Sequence, residues 1–279
     1  MTAVLTPAHR RHTHLLNQVD GLGMGTRSPD LHVVVAMDDV DLARRRLPIT
    51  TDRWRTEIPT LRASPGRLPV AAARNLAART AIELGAEVLV FLDVDCIPGP
   101  RLLQAYADAV GHGGSSAPAL WCGEMKYLGP PPPVGYPVGA LEPLATAKEG
   151  RPSLRPGEVL PEPQFERFWS LSFAMSAQDW IASGGFCEDY VGYGAEDTDF
   201  GQVVQAAGGS LTWLGGATAY HQHHESHDPP IAQVESVVRN AGIFHDRWGW
   251  WPMLGWLQEF ERRGLARPDA DTGRWRVAA

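Results

Sequence analysis

Four continuous apolar runs, each closed by polar or turn-forming residues, give the chain its first legible elements: Val4-Leu5 ahead of Thr6-Pro7, then Leu31–Met37, Val88–Leu92 and residues 119–122. Apolar runs that do not alternate with polar residues predict strands covered on both faces, as in a doubly wound, mostly parallel α/β sheet. Between two of these runs, residues 68–84 set Leu76, Thr80 and Leu84 at i, i+4 and i+8, with Ala73 and Ala77 beside them. That spacing predicts a helix lying on the sheet. Gly85 follows the last periodic residue and suits a left-handed helix end, so helix, turn and buried strand follow in αβ order and the crossover rule makes the strands parallel.

Residues 128–163 break the pattern. Prolines 130–133 are consecutive and six more prolines follow, with glycines among them, so an irregular loop is expected, bordering a binding site and joining two halves of one domain. Beyond it, residues 168–175 read as a strand, Ala177–Ser183 as a helix, Gly184-Gly185 as a turn and residues 197–207 as a helix. Short strands at 211–214 and 217–220 lead into His221-Gln222-His223-His224, and 231–260 reads as a pair of Trp-rich helices. The expected layout is a single domain over 1–279, with halves at 1–127 and 164–228 around the loop and a helical extension at 229–279.

Composition narrows the function classes. With 44% hydrophobic and 20% charged residues the chain is ordinary globular protein, and no apolar run reaches the ~18–20 residues of a membrane span. The amino terminus lacks a signal-type apolar core, and three cysteines (Cys96, Cys122, Cys187) show no metal-type pairing, so a reducing cytoplasm is expected. Net charge is −7, yet residues 1–79 carry 12 Arg against 7 acids. The remainder is therefore strongly acidic, which suits a divalent cation and excludes nucleic acid as the expected partner.

Three constellations carry candidate chemistry. Asp93-Val94-Asp95 follows the strand Val88–Leu92; in extended chain both carboxylates face one side at a strand's carboxyl end, where ligands of open α/β sheets bind. Alone, the pair reads more readily as solvated loop acids. The second is Gly192-Tyr193-Gly194-Ala195-Glu196-Asp197-Thr198-Asp199, whose glycines permit close approach of a ligand and whose acids open a helix. Capping explains one such acid, and Asp199 reads as that one. The third is His221, His223, His224 and His227, of which one or two are expected to complete a metal site begun by the carboxylates, with His223 and His227 as surface residues.

At these residues the chain resembles the GT-A glycosyltransferases, in particular the inverting β-galactosyltransferase type and its bacterial family 2 and 27 relatives. The resemblance runs through Ala73-Arg74-Asn75, FLDVDCIP at 91–98, GGF at 184–186, YGAEDTDF at 193–200 and the histidine after a short strand, spanning 73–224. It implies a nucleotide-diphosphate-sugar donor, a UDP-sugar above others, a carbohydrate or glycosylated small-molecule acceptor, and a divalent cation, Mn²⁺ ahead of Mg²⁺. By the same resemblance Asp95, Asp93 and His221 hold the metal, and Asp93, Val94, Arg74 and Asn75 adjoin the donor. Thr6, Pro7, Arg10 and Asp38 line the nucleoside pocket. Tyr193, Gly194, Glu196 and Asp197 bind the acceptor, with Asp197 as general base and Glu196 beside it, and Tyr193 stands where members more usually carry Trp. The competing classes are a sugar nucleotidyltransferase, for which TPAHRRH lacks the glycine-rich loop, a zinc hydrolase built on His221, His223 and His224, and a non-catalytic sugar-binding protein of the same fold.

Overall fold

A computed structural model describes residues 1–64, 66–112, 117–225 and 227–278. In chain order its amino-terminal half holds β1 (Thr2–Ala8), α1 (His12–Met24), β2 (Leu31–Met37), α2 (Val40–Ala43), β3 (Arg55–Glu57), β4 (Thr60–Leu61), α3 (Val70–Glu83), β5 (Val88–Leu92), β6 (Cys96–Pro98) and α4 (Leu102–His112). The rest holds β7 (Ala119–Leu128), β8 (Ala145–Ala147), β9 (Val159–Pro161), β10 (Ser172–Ser176), α5 (Ala177–Ser183), α6 (Glu196–Ala206), β11 (Ser210–His221), α7 (Val234–Trp248), α8 (Leu254–Arg262), β12 (Ala266–Pro268) and β13 (Trp275–Val277).

The main sheet runs β3-β2-β1-β5-β10-β7-β11-β6, and along this path only β10 and β6 oppose the other strands. It is the expected α/β sheet, mostly parallel and covered on both faces. Ala3 and Leu5 of β1 meet Ala73, Ala77 and Ala81 of α3 on one side, while Val4 joins Leu22 of α1 and Leu102, Leu103 and Tyr106 of α4 on the other. Small alanines let α3 approach the strands closely, which is why its apolar face is modest in sequence yet fully buried.

Several boundaries differ from the sequence reading. The first strand extends through all of Thr2–Ala8 because the polar Thr6 is satisfied inside the core, where its hydroxyl donates to Gln18 Oε1 at 2.9 Å and lies 3.1 Å from His32 Nε2. The weak run at 119–122 grows into the ten-residue β7, and 211–214 and 217–220 are one strand, β11, with a register shift between Leu214 and Ala219. The strand expected at 168–175 starts only at Ser172 and is antiparallel, slotted between β5 and β7. Phe168, before it, packs edge-on against Phe173 at 5.1 Å instead. The loop 128–163 is not wholly irregular: β8 pairs with β7 and β9 with β11.

Beneath the strand ends lies an aromatic layer. Phe91 stacks on Phe173 and Phe186 on Phe200, both at 4.4 Å, with Trp180 against Phe91, Phe186 and Phe200. Rigid rings anchor β5, the turn after α5 and the start of α6 to one another. No helix among the described residues is long and apolar enough to cross a membrane.

Candidate active site

β5 ends at Leu92, and the chain then turns sharply, the Cys96 N–H donating to the Asp93 carbonyl at 2.9 Å. The turn cancels the alternation expected of extended chain, so the two carboxylates diverge. Asp93 accepts from Arg74 Nη2 at 2.9 and 3.1 Å. Asp95 points elsewhere: its Oδ2 accepts from Arg11 Nη1 and lies 3.6 Å from His221 Nε2 and 3.5 Å from His224 Nε2. One ligand atom from each of Asp95, His221 and His224 lies within 4.8 Å of the others, a cluster to which Asp93 does not belong.

The histidine run is sorted by strand alternation. His221 closes β11, its ring 5.1 Å from that of Tyr127. Gln222 turns back and is buried, its N–H on the Asp95 carbonyl at 2.7 Å and its side chain bonded to Asn17 and to the His14 carbonyl. His223 is exposed and His224 returns to Asp95. The three-histidine arrangement considered for a zinc hydrolase is therefore not brought together. Electrostatics match the sorting: burial works to raise the Asp95 carboxyl, but the His224 hydrogen bond and the charges of His221 and Arg11 outweigh it and hold it well below the ordinary range. Burial lowers His221, which favours the neutral, ligating imidazole, whereas the bond to Asp95 raises His224.

The acid pair opens α6. Ala195, buried, takes φ +74°, a left-handed conformation costing a non-glycine residue roughly 1–2 kcal/mol, and so sets Glu196 and Asp197 at the very start of the helix. Arg74 of α3, itself buried, joins this pair to the DxD by reaching Glu196 Oε1 at 3.4 Å while holding Asp93. Burial, then the Asp197 charge, pushes Glu196 up to about 7 against the pull of Arg74. Burial likewise raises Asp197, and it pushes Asp93 up to about 6. Asp199 is no exposed cap: it is fully buried, and its Oδ1 accepts from Arg247 Nε and Trp248 Nε1 at 2.7 Å and from Tyr190 Oη at 3.1 Å.

The glycines flanking Tyr193 make room for protein rather than for a ligand. A Cβ on Gly192 would lie 2.3 Å from Ser236 Oγ, and one on Gly194 2.8 Å from Met253 Sδ, with both residues at positive φ. Asn240 of α7 donates to the carbonyls of Tyr193 and Gly194 at 3.2 and 3.0 Å. Tyr193 itself is 47% exposed, its ring centroid 5.9 Å from that of Trp256.

Among the expected donor residues the outcome is mixed. The Thr6 side chain is spent in the core and Pro7 is buried with it. Val94 packs into the cluster of Leu15, Val34 and Leu42. Asn75 spends its amide on Phe186, donating to its carbonyl and accepting its N–H at 2.9 Å each, so it braces the GGF turn. Arg10 and Asp38 are exposed at positive φ. Beside them the organising residue is Asp39, which accepts from Arg10 N, Leu42 N and His12 Nε2. Its signal was legible as an acid three residues before Leu42 at a helix start. Arg11 was visible only as charge beside Arg10, and no spacing in the sequence links Trp256 to Tyr193.

A protein-family model described as the N-terminal domain of galactosyltransferase matches residues 159–228, the stretch from β9 through the acid pair to the histidine run. Two curated proteins, the validoxylamine A glucosyltransferases of Streptomyces hygroscopicus subsp. limoneus and subsp. jinggangensis (strain 5008), are each 28% identical over 262 residues, 88% of this chain but 56% and 60% of their own lengths. The chain thus spans a little over half of these relatives. Among solved structures, S. aureus TarS 1-349 superposes with TM-score 0.59 at 15% identity, covering 86% of this chain and 64% of that one. The same TarS fragment in complex with UDP-GlcNAc gives 0.59 at 13% identity, covering 95% and 78%. In fold the chain is similar to the TarS structures, and in sequence it is similar to the validoxylamine A glucosyltransferases and, over 159–228, to the galactosyltransferase domain.

Proposed function

We propose that this chain transfers a sugar from a nucleotide-diphosphate donor, a UDP-sugar above others, to a hydroxyl of a carbohydrate or glycosylated small-molecule acceptor, with inversion at the anomeric carbon. The observation that carries the reading is the single junction at the β5 end: Arg74 joins the DxD to a half-buried acid pair with raised carboxyls, beside the cluster of Asp95, His221 and His224. The complexes of TarS with UDP and UDP-GlcNAc support the donor class, the glucosyltransferase relatives support transfer, and the galactosyltransferase match over the acid pair supports the inverting type. All three cysteines are free, in keeping with the proposed cytoplasmic setting.

A divalent cation fits the donor set of Asp95, His221 and His224. One ionised carboxylate and two imidazoles converge, and the Arg11 guanidinium already brings positive charge to the same oxygen. This set replaces the expected trio of Asp93, Asp95 and His221, and its imidazoles favour Mn²⁺ over Mg²⁺. When bound, such a cation neutralises charge developing on a leaving diphosphate. Asp197 takes the proton from the attacking hydroxyl. Arg74 holds Asp93 and Glu196 in place, and the raised Glu196 is a proton-bearing neighbour that spares Asp197 a second full negative charge at neutral pH.

Thermal shift with a panel of UDP-sugars tests the reading. Stabilisation is expected with Mn²⁺, to be lost on adding EDTA and in Asp95→Ala, since a ligand of the native state raises the melting temperature. Full stabilisation in EDTA removes the metal assignment, and a product that keeps the donor's anomeric configuration removes Asp197 as base.

A further inference from the structure

The carboxy-terminal helices lie beyond the segments that carry the resemblance, yet they build one side of the candidate acceptor site. α8 docks on its neighbours through Leu257 and Phe260, both fully buried. Trp256 packs only at the edge of the cluster around them. It is half-buried, its indole N–H fixed on Asp228 Oδ1 at 2.7 Å, four residues past His224, and its ring inclined 31° to that of Tyr193. Tyr193 is fixed just as firmly from behind, by Asn240 and by the Ser236 and Met253 packing against its flanking glycines. Two rings from separate parts of the chain are therefore held rigidly at a small angle, one of them 47% exposed, and the Glu196-Asp197 carboxylates follow three residues after Tyr193.

We propose that Trp256 is a specificity-determining residue that forms, with Tyr193, the aromatic wall of the acceptor subsite and selects acceptors presenting a ring-shaped, C–H-rich face, a pyranose or cyclitol, over acyclic polyols. The inference rests on the transferase reading and deepens it. An apolar platform with a few convergent polar acceptors is the general composition of small-polyol sites, because ring faces shed water onto the platform while hydroxyls bond to carboxylates at its edge. Fixing both rings in advance removes the ordering cost that a lone mobile side chain would carry.

The test is saturation-transfer NMR on the full chain with UDP and Mn²⁺, titrating cellobiose as the ring-bearing probe and mannitol as the acyclic one. The wild type is expected to give a saturable cellobiose signal, strongest on the protons of one ring face, and none from mannitol. Trp256→Ala should raise the cellobiose dissociation constant roughly tenfold, the order of one aromatic stack. Trp256→Phe should recover most of the loss, and UDP affinity should stay within about twofold of wild type in both. Unchanged cellobiose binding in Trp256→Ala, equal signals from mannitol and cellobiose, or no saturable signal from either in the wild type overturns the proposal. UDP titrated into the same samples separates the two failures. A wild type that does not bind UDP strikes the transferase reading, whereas intact UDP binding with an indifferent Trp256 strikes the subsite alone.

Discussion

Asp197 and Asp199 lie two residues apart in the first turn of α6 and live in opposite electrostatic circumstances. Asp199 faces inward and collects three donors on one oxygen, from Tyr190, Arg247 and Trp248. Asp197 faces the junction with Arg74, where its protein donors are the neighbouring Thr198 N–H and hydroxyl and burial keeps its carboxyl raised. Three donors from separate parts of the chain converge on Asp199 Oδ1 and make this carboxylate structural, although its Oδ2 is buried with no hydrogen-bond partner. A carboxylate met only by its own neighbour's groups in a desolvated place stays basic. Both residues read as helix-start acids in sequence, so the difference is entirely tertiary.

The sharpest way to break the comparison is Asp197→Asn. It keeps shape and removes the basic oxygen, so kcat should fall by roughly 10²–10⁴-fold with UDP affinity near wild type. A melting temperature equal to or above wild type should accompany it, because an acid whose carboxyl is raised by folding destabilises the native state when ionised. Steady-state transfer and thermal denaturation check the two halves separately. The converse change, Asp199→Ala, should cost roughly 3–5 kcal/mol in urea unfolding, toward the lower end because Arg247 can turn to water. A loss under 1 kcal/mol would make Asp199 the ordinary cap that the sequence suggests.

How far this contrast was legible beforehand depends on the range of the interactions. β2, β5 and α5 were found to the residue, because apolar runs and a Gly-Gly stop are local signals. The acids and histidines of the candidate site were singled out too, since charged residues at strand and helix ends stand out. What sequence did not carry is partnership. The turn at Asp93 to Cys96 divides the DxD between Arg74 and the two histidines beside Asp95, which the local DxD pattern does not announce. Nor does any local pattern show that Asn75 braces Phe186 across 111 positions, or that α7 and α8 supply Arg247 and Trp256 to opposite sides of the same segment.

Glu196 sharpens the comparison through pH. Its carboxyl is raised from 4.5 to about 7 in the folded chain, so between those values the native state holds a proton that the unfolded chain releases, and stability falls as pH rises. The full effect is at most about 3 kcal/mol and is shared with Asp197. Glu196→Gln should therefore flatten the melting temperature between pH 5 and pH 8 and raise it at pH 8. An unchanged slope would mean that Arg74 fully compensates the charge.

The smallest expected effect isolates the other side of the turn. Tyr190→Phe removes one of the three donors to Asp199 and leaves Arg247 and Trp248, both at 2.7 Å, on the same oxygen. Tyr190 is 2% exposed, so its hydroxyl has no water to return to, and the ring keeps its packing with Ala195 and Phe244 in the variant. The loss should be about 1 kcal/mol, the net worth of a buried hydrogen bond when neither partner is left wholly unsatisfied. Asp199 keeps Arg247 and Trp248 as partners, so kcat and its pH profile should match wild type. A variant that lost turnover in proportion to stability would show that Asp199 and Asp197 act as one network across the turn, and the division between a structural and a basic carboxylate would fail.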